Sequence, residues 1–143
     1  MQGCGIDAGC TPGYAGRMQA STLVSIGAGG LLGACARHLF GVWFVSRLGL
    51  SNPVSTMIIN ITGSFLLALF LGWSLRQGLL SPQVRLFVSV GFCGAFTTFS
   101  TYAYESLALA REGQWLAMTG NILGNNLLCL AGVCLGLALA SRL

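Results

Sequence analysis

Four apolar runs of about 22–26 residues, at 21–45, 54–75, 86–110 and 115–140, dominate the sequence. An α-helix rises about 1.5 Å per residue, so each run can cross the roughly 30 Å hydrocarbon core of a bilayer. Backbone amides in hydrocarbon must find their partners within their own segment, which makes helices the natural form of such runs. The composition agrees. Only 7% of the residues are charged, against about 25% in an ordinary soluble domain, while 55% are hydrophobic and the mean hydropathy is +0.79. Seven arginines, two glutamates and one aspartate, with no lysine, cannot cover the surface of a small water-soluble domain. A soluble enzyme is excluded. Most of the 21 glycines fall inside the apolar runs, which points to helices packed by close backbone approach in lipid.

The ends of the runs carry helix punctuation. Asn52-Pro53 and Ser81-Pro82 suit helix starts, and Arg111-Glu112-Gly113 reads as a tight loop. Residues 1–20 are polar and Gly-rich, with Pro12 and Arg17, and read as a disordered extension rather than a signal peptide. Met18 is an alternative start, and 21–143 forms one transmembrane domain. With four spans, Arg17, Arg76, Arg85 and Arg142 fall on one side of the membrane and Arg47 and Arg111 on the other. That bias is feeble, and it leaves insertion in both orientations open, as an antiparallel dimer requires.

Other function classes find little support. The arginines are scattered singly, so no electrostatic footprint for nucleic acid exists. The six cysteines show no C-x-x-C spacing, and Cys35, Cys93, Cys129 and Cys134 lie in apolar runs, where cysteine behaves as a small hydrophobe. No nucleophile–base pair, Walker motif or G-x-G-x-x-G opening a helix is present.

The informative residues are the polar ones inside the runs, because lipid offers them no partner. In the second run Thr56, Asn60 and Ser64 recur every four positions and share a helix face. In the fourth, Asn121, Asn125 and Cys129 form a similar stripe beside Gly120, Gly124, Gly132 and Gly136. The glycine stripe suits close helix packing, and the amide stripes suit either interhelical hydrogen bonding or a polar track. The third run holds the densest cluster, Gly91-Phe-Cys-Gly-Ala-Phe-Thr-Thr-Phe-Ser-Thr-Tyr102. Glycine and β-branched threonine make it a poor helix centre. Two outcomes stand: a break that releases carbonyls for a hard cation, or an unbroken helix whose hydroxyls bond back to the preceding turn. Phe96, Phe99 and Tyr102 recur every three positions, as packing or as ring edges able to face a small anion. Arg37 and Glu105, the formal charges deep in the runs, pair with each other or sit at a vestibule, and His38 is interfacial.

From Gly91 to Glu105 the chain closely resembles the CrcB/Fluc family of fluoride channels. Supporting matches are Gly29-Gly30-x-x-Gly33-Ala34-x-x-Arg37 and Thr56-x-x-x-Asn60-x-x-Gly63-Ser64-Phe65. The resemblance spans essentially everything after residue 20. It implies an all-α membrane protein with four transmembrane helices per subunit, the third broken near the midplane, assembled as an antiparallel dual-topology homodimer. It further implies fluoride pores that include Asn60, Phe99, Ser100, Thr101, Tyr102, Asn121 and Asn125, with Cys129 extending the track. A structural sodium ion is implied at the main-chain carbonyls of Gly94 and Thr97. Tyr102 stands where the family usually has phenylalanine, and Cys129 where it usually has serine. Arg37 and Glu105 match family positions as vestibule or structural charges. The implied function is passive fluoride export across the bacterial inner membrane. A small dual-topology, proton-coupled cation or multidrug exporter is the alternative, with Glu105 as its membrane carboxylate.

Overall fold

A computed structural model describes residues 20–78 and 80–143, and these are helical with short connections and no strand. Of the extension expected over residues 1–20, Ala20 opens the first helix, and the rest, including Arg17 and Met18, lies outside the described residues. Four segments have the length and composition to cross a membrane: Ala20–Leu48, Asn52–Gln77, Pro82–Arg111 and Trp115–Ala140. The first two are α1 and α2. The third contains α3 (82–96) and α4 (Phe99–Arg111), and the fourth is α5. The first three exceed their apolar runs by a few residues, which include Arg47, Arg76 and Arg111. Arginine stems lie along apolar helix surface while the guanidinium reaches water, so such helices continue past the apolar run.

Local chemistry sets the helix ends. Ser51 and Ser81 cap α2 and α3 in extended conformation, each followed by a proline in the first helical turn. Proline has the required φ there and loses no needed N–H. Gly78 ends α2 at φ 63°, a left-handed geometry that glycine adopts without steric penalty.

The bundle is polar inside and apolar outside. Ser55, Thr56, Asn60, Ser74, Thr98, Ser106, Asn121 and Asn125 are buried, while Leu31, Leu116 and Leu135 face outward. A chain whose solvent is lipid distributes its residues this way. Helices α2 and α5 pack together extensively, as do α1 and α3. The α2–α5 contact follows the glycine stripe: a Cβ at Gly136 would lie 2.6 Å from the Phe65 carbonyl oxygen, and one at Gly124 2.7 Å from Met57 Sδ. Gly120, on the same stripe, faces nothing within 4 Å. On the other flank, Gly29 and Gly33 of α1 meet the backbone of Phe87 and Phe92.

That second contact coincides with a feature the sequence does not announce. Phe87–Cys93 forms a wide π-helical turn. Gly91 lies inside it, and the absence of its Cβ lets α1 approach. Gly91 and Gly94 therefore do not break the helix; Gly94 itself has helical angles (φ −62°, ψ −37°). The interruption comes at the threonines, with Thr97 at φ −81°, ψ 159° and Thr98 at φ −150°, ψ 118°. It falls about midway along the 30-residue span Pro82–Arg111.

Candidate functional site

The break is held from both sides. Thr98 caps α4: its Oγ1 accepts the Thr101 N–H (3.3 Å) and donates to Thr101 Oγ1 (3.0 Å). Threonine is a favoured N-cap because its side-chain oxygen satisfies an orphan donor of the first turn. From α2, the buried Asn60 side chain accepts the Thr98 N–H at Oδ1 (2.8 Å) and donates from Nδ2 to the Thr98 carbonyl (3.1 Å). In an unbroken helix the Thr98 N–H would serve the Gly94 carbonyl, and the Thr101 N–H the Thr97 carbonyl. Both donors are diverted here, so the carbonyls of Gly94 and Thr97 lose their helical partners. Hard oxygen atoms released in this way suit an alkali or alkaline-earth cation.

The asparagines join in a ladder. Asn60 Nδ2 also donates to Asn125 Oδ1 (3.0 Å), and Asn125 Nδ2 bonds to Asn121 Oδ1 (3.0 Å) and to the Asn121 carbonyl (3.2 Å). Asn121 Nδ2 continues to Ser106 Oγ (2.9 Å), which donates to the Tyr102 carbonyl (2.8 Å). Buried amides must be satisfied, and this ladder satisfies them across α2, α4 and α5. The Asn121/Asn125 stripe and the Thr56/Asn60 face thus converge.

Two open grooves run along α2 on either side of the Asn60–Thr98 contact. The first, about 570 Å³, is lined by Arg37, His38, Asn52, Thr56, Thr101 and Glu105 among others. The second, about 330 Å³, is lined by Asn60, Phe99, Tyr102, Asn125, Asn126 and Cys129 among others. Their α2 residues follow one another, 52–59 in the first and 60–67 in the second, so the grooves are stacked along the helix. Thr98 lines both.

Of the residues singled out in the sequence, Asn60, Phe99, Tyr102 and Asn125 share the second groove, and Thr101 belongs to the first. Asn121 is buried behind them in the ladder, and Ser100 is exposed with its Oγ 3.3 Å from Thr98 Oγ1. The aromatic row divides at the break. Phe96 packs inward, stacked on Phe92 with ring centroids 5.8 Å apart, whereas Phe99 is 76% exposed and meets Tyr102 edge-on at 5.3 Å. Arg37 and Glu105 line the same groove, but Glu105 Oε1 takes its hydrogen bond from Thr56 Oγ1 (3.0 Å). Asn126 is the residue that stripe reasoning passes over. It sits one position off the Asn121/Asn125 face, yet its Nδ2 donates to Tyr102 Oη at 3.1 Å. An amide inside an apolar run was the available signal. Among the described residues no cluster of His, Cys, Asp and Glu could hold a metal ion.

Residues 24–137 match the family model described as CrcB-like protein, Camphor Resistance (CrcB). The chain belongs to the CrcB family. A CrcB relative from Koribacter versatilis, named a fluoride-specific ion channel, is 49% identical over 105 residues, covering 73% of this chain and 83% of its own. A Geotalea daltonii relative of the same name is 40% identical over 119 residues, covering 83% and 96%. A Methanosarcina barkeri relative, also named a fluoride-specific ion channel, is 40% identical over 119 residues, covering 83% and 89%. Like the length and hydropathy of its helices, membership in the CrcB family makes the chain a multi-pass membrane protein.

Proposed function

We propose that this chain is a fluoride-selective channel that lets fluoride leave the cell passively, and that it works as an antiparallel dual-topology homodimer in the cell membrane. The observation that carries this reading is the pair of polar grooves stacked along α2 and meeting at the buried Asn60–Thr98 contact. In a lipid-facing bundle, a polar seam of this length marks a path for an ion. The names of the relatives identify fluoride as the ion.

Fluoride is small and strongly hydrated, so a pore must replace water with several modest donors without forming a trap. An ion entering from the Arg37 side meets hydroxyls at Thr101 and Thr98 and then the amide ladder. Asn60 holds its N–H groups on Thr98 and Asn125, so it offers them to the ion only as those bonds exchange. Beyond Asn60 the path runs between the edges of Phe99 and Tyr102 and the amide of Asn125, with Ser100 and Asn121 supporting that wall. The absence of lysine keeps ammonium traps out of the seam. The carbonyls of Gly94 and Thr97 would hold the sodium ion, which supplies positive charge to the break, near the membrane midplane.

Purified protein in liposomes should release fluoride far faster than chloride when a potential is imposed. Equal rates for the two halides, or no flux, would overturn the selective-channel reading. Replacing sodium with N-methylglucamine throughout should abolish flux or dissociate the dimer; indifference would remove the sodium site.

A further inference from the structure

The second groove is lined by amides that have no hydrogen to spare. Asn60 donates to Thr98 and Asn125, and Asn125 donates to Asn121. The Thr98 hydroxyl donates to Thr101 Oγ1, and the Thr97 hydroxyl donates to the Cys93 carbonyl. A network closed on itself gives an anion little to bind until one of its bonds opens. The hydroxyls of Tyr102 and Ser64, which also line the groove, stand apart from this network, and the phenol is the one held by a second side chain.

Tyr102 Oη lies 3.1 Å from Asn126 Nδ2. The same nitrogen lies 2.7 Å from the Ile122 carbonyl oxygen. A carbonyl only accepts, so Ile122 fixes which end of the Asn126 amide carries hydrogen. The atom facing the phenol is therefore a donor, and Tyr102 Oη accepts there. A phenol has a single O–H, and Asn126 leaves that hydrogen to point elsewhere. Tyr102 is buried to 8% exposure, and its ring meets Phe99 edge-on. The groove it lines also holds Phe99, Asn125 and Cys129. A hydrogen bond received at Oη also polarises the O–H that Tyr102 gives.

We propose that the Tyr102 hydroxyl is a direct donor to the anion in the second groove, and that Asn126 is a positioning residue holding the phenol in its donating sense. The inference rests on the fluoride-channel reading and deepens it. It gives the groove a neutral, fixed donor beside the Phe99 edge, suited to a small anion that accepts strong hydrogen bonds. A larger halide, which accepts them more weakly, benefits less.

The test uses full-length protein in liposomes: wild type, Tyr102→Phe, Asn126→Leu and the double variant, each first checked for wild-type elution on size exclusion. Tyr102→Phe should lower fluoride flux about tenfold to a hundredfold, the range expected for one hydrogen bond to a charged group. It should also narrow the preference for fluoride over chloride. Asn126→Leu should lower flux in the wild-type background and add nothing in the Tyr102→Phe background, because it acts through the phenol. A separate readout is the near-ultraviolet absorption of tyrosine, which should shift to the red when fluoride, but not chloride, is added, and should not shift in Tyr102→Phe. Wild-type flux and selectivity in Tyr102→Phe, additive losses in the double variant, or a wild-type spectrum unmoved by fluoride would each overturn the proposal. If Tyr102→Phe does not fold, the wild-type spectrum and Asn126→Leu decide. A wild-type protein that carries no fluoride would overturn the channel reading itself; fluoride flux in wild type with an unaltered Tyr102→Phe overturns this assignment alone.

Discussion

Asn60 and Thr98 exchange two hydrogen bonds across 38 positions of sequence, with the side-chain amide of one replacing a peptide group toward the other. The break in the third span is thus held by a residue of α2. Asn60→Asp keeps an acceptor for the Thr98 N–H but turns the remaining oxygen toward two acceptors, the Thr98 carbonyl and Asn125 Oδ1. Each acceptor left without its donor costs about 1–3 kcal/mol when buried. The variant should melt at lower temperature in detergent and lose flux. An unchanged melting temperature would show that the amide does not hold the break.

The glycine stripe of α5 makes a sharper contrast between two identical substitutions. A methyl at Gly136 would meet the Phe65 carbonyl at 2.6 Å and Leu69 N at 2.9 Å, both backbone atoms, whereas one at Gly120 meets nothing within 4 Å. Gly136→Ala should destabilise the bundle by about 1–3 kcal/mol, as overpacking does. Gly120→Ala should be neutral or slightly stabilising, because alanine favours helix. Thermal unfolding of the two variants in one detergent decides this, and equal behaviour would remove the close-packing argument.

Thr98→Val preserves shape and removes the capping oxygen that serves the Thr101 N–H. Loss of a cap costs about 0.5–2 kcal/mol. Thr98→Ser should restore both stability and flux. If valine matches wild type in both, the cap is dispensable.

Phe99→Ile tests the aromatic edge. Phe99 is 76% exposed and meets Tyr102 edge-on, so its replacement disturbs little packing. Fluoride flux should fall about threefold to tenfold, the scale of one aromatic interaction, while the dimer elutes as wild type. Undiminished flux would assign Phe99 to packing.

How much of this was legible in sequence varies with the range of the interaction. The spans follow from run length, because a bilayer imposes a fixed thickness; the fourth run and α5 share the bounds 115–140. Asn60, Asn121 and Asn125 stand out because an amide in hydrocarbon always needs a partner. Which partner each takes depends on contacts between helices, and no spacing along one chain encodes that. Asn126 escaped because its partner, Tyr102, lies on α4 rather than on its own stripe. The π-turn at Phe87–Cys93 was hidden for the same reason, since it accompanies the approach of Gly29 and Gly33 from α1. Glycine content announced a weak helix, but capping by Thr98 and Asn60 chose where it breaks.

Glu105 separates a channel from a proton-coupled exporter. Its Oε1 accepts a hydrogen bond from Thr56 Oγ1 at 3.0 Å, and it lines the groove that also holds Arg37. An exporter needs that carboxylate to bind and release a proton in each cycle, so Glu105→Gln should abolish transport. A channel needs only the acceptor, which the glutamine carbonyl supplies to Thr56. Neutralising the position also removes a negative charge from the mouth of an anion path, which opposes any loss. Fluoride flux through Glu105→Gln should therefore stay within about tenfold of wild type, equivalent to one hydrogen bond or less. It should also keep no dependence on a proton gradient at constant potential. Complete loss of flux in a variant that still elutes as a dimer, together with gradient-driven cation uptake by wild type, would establish the exporter instead.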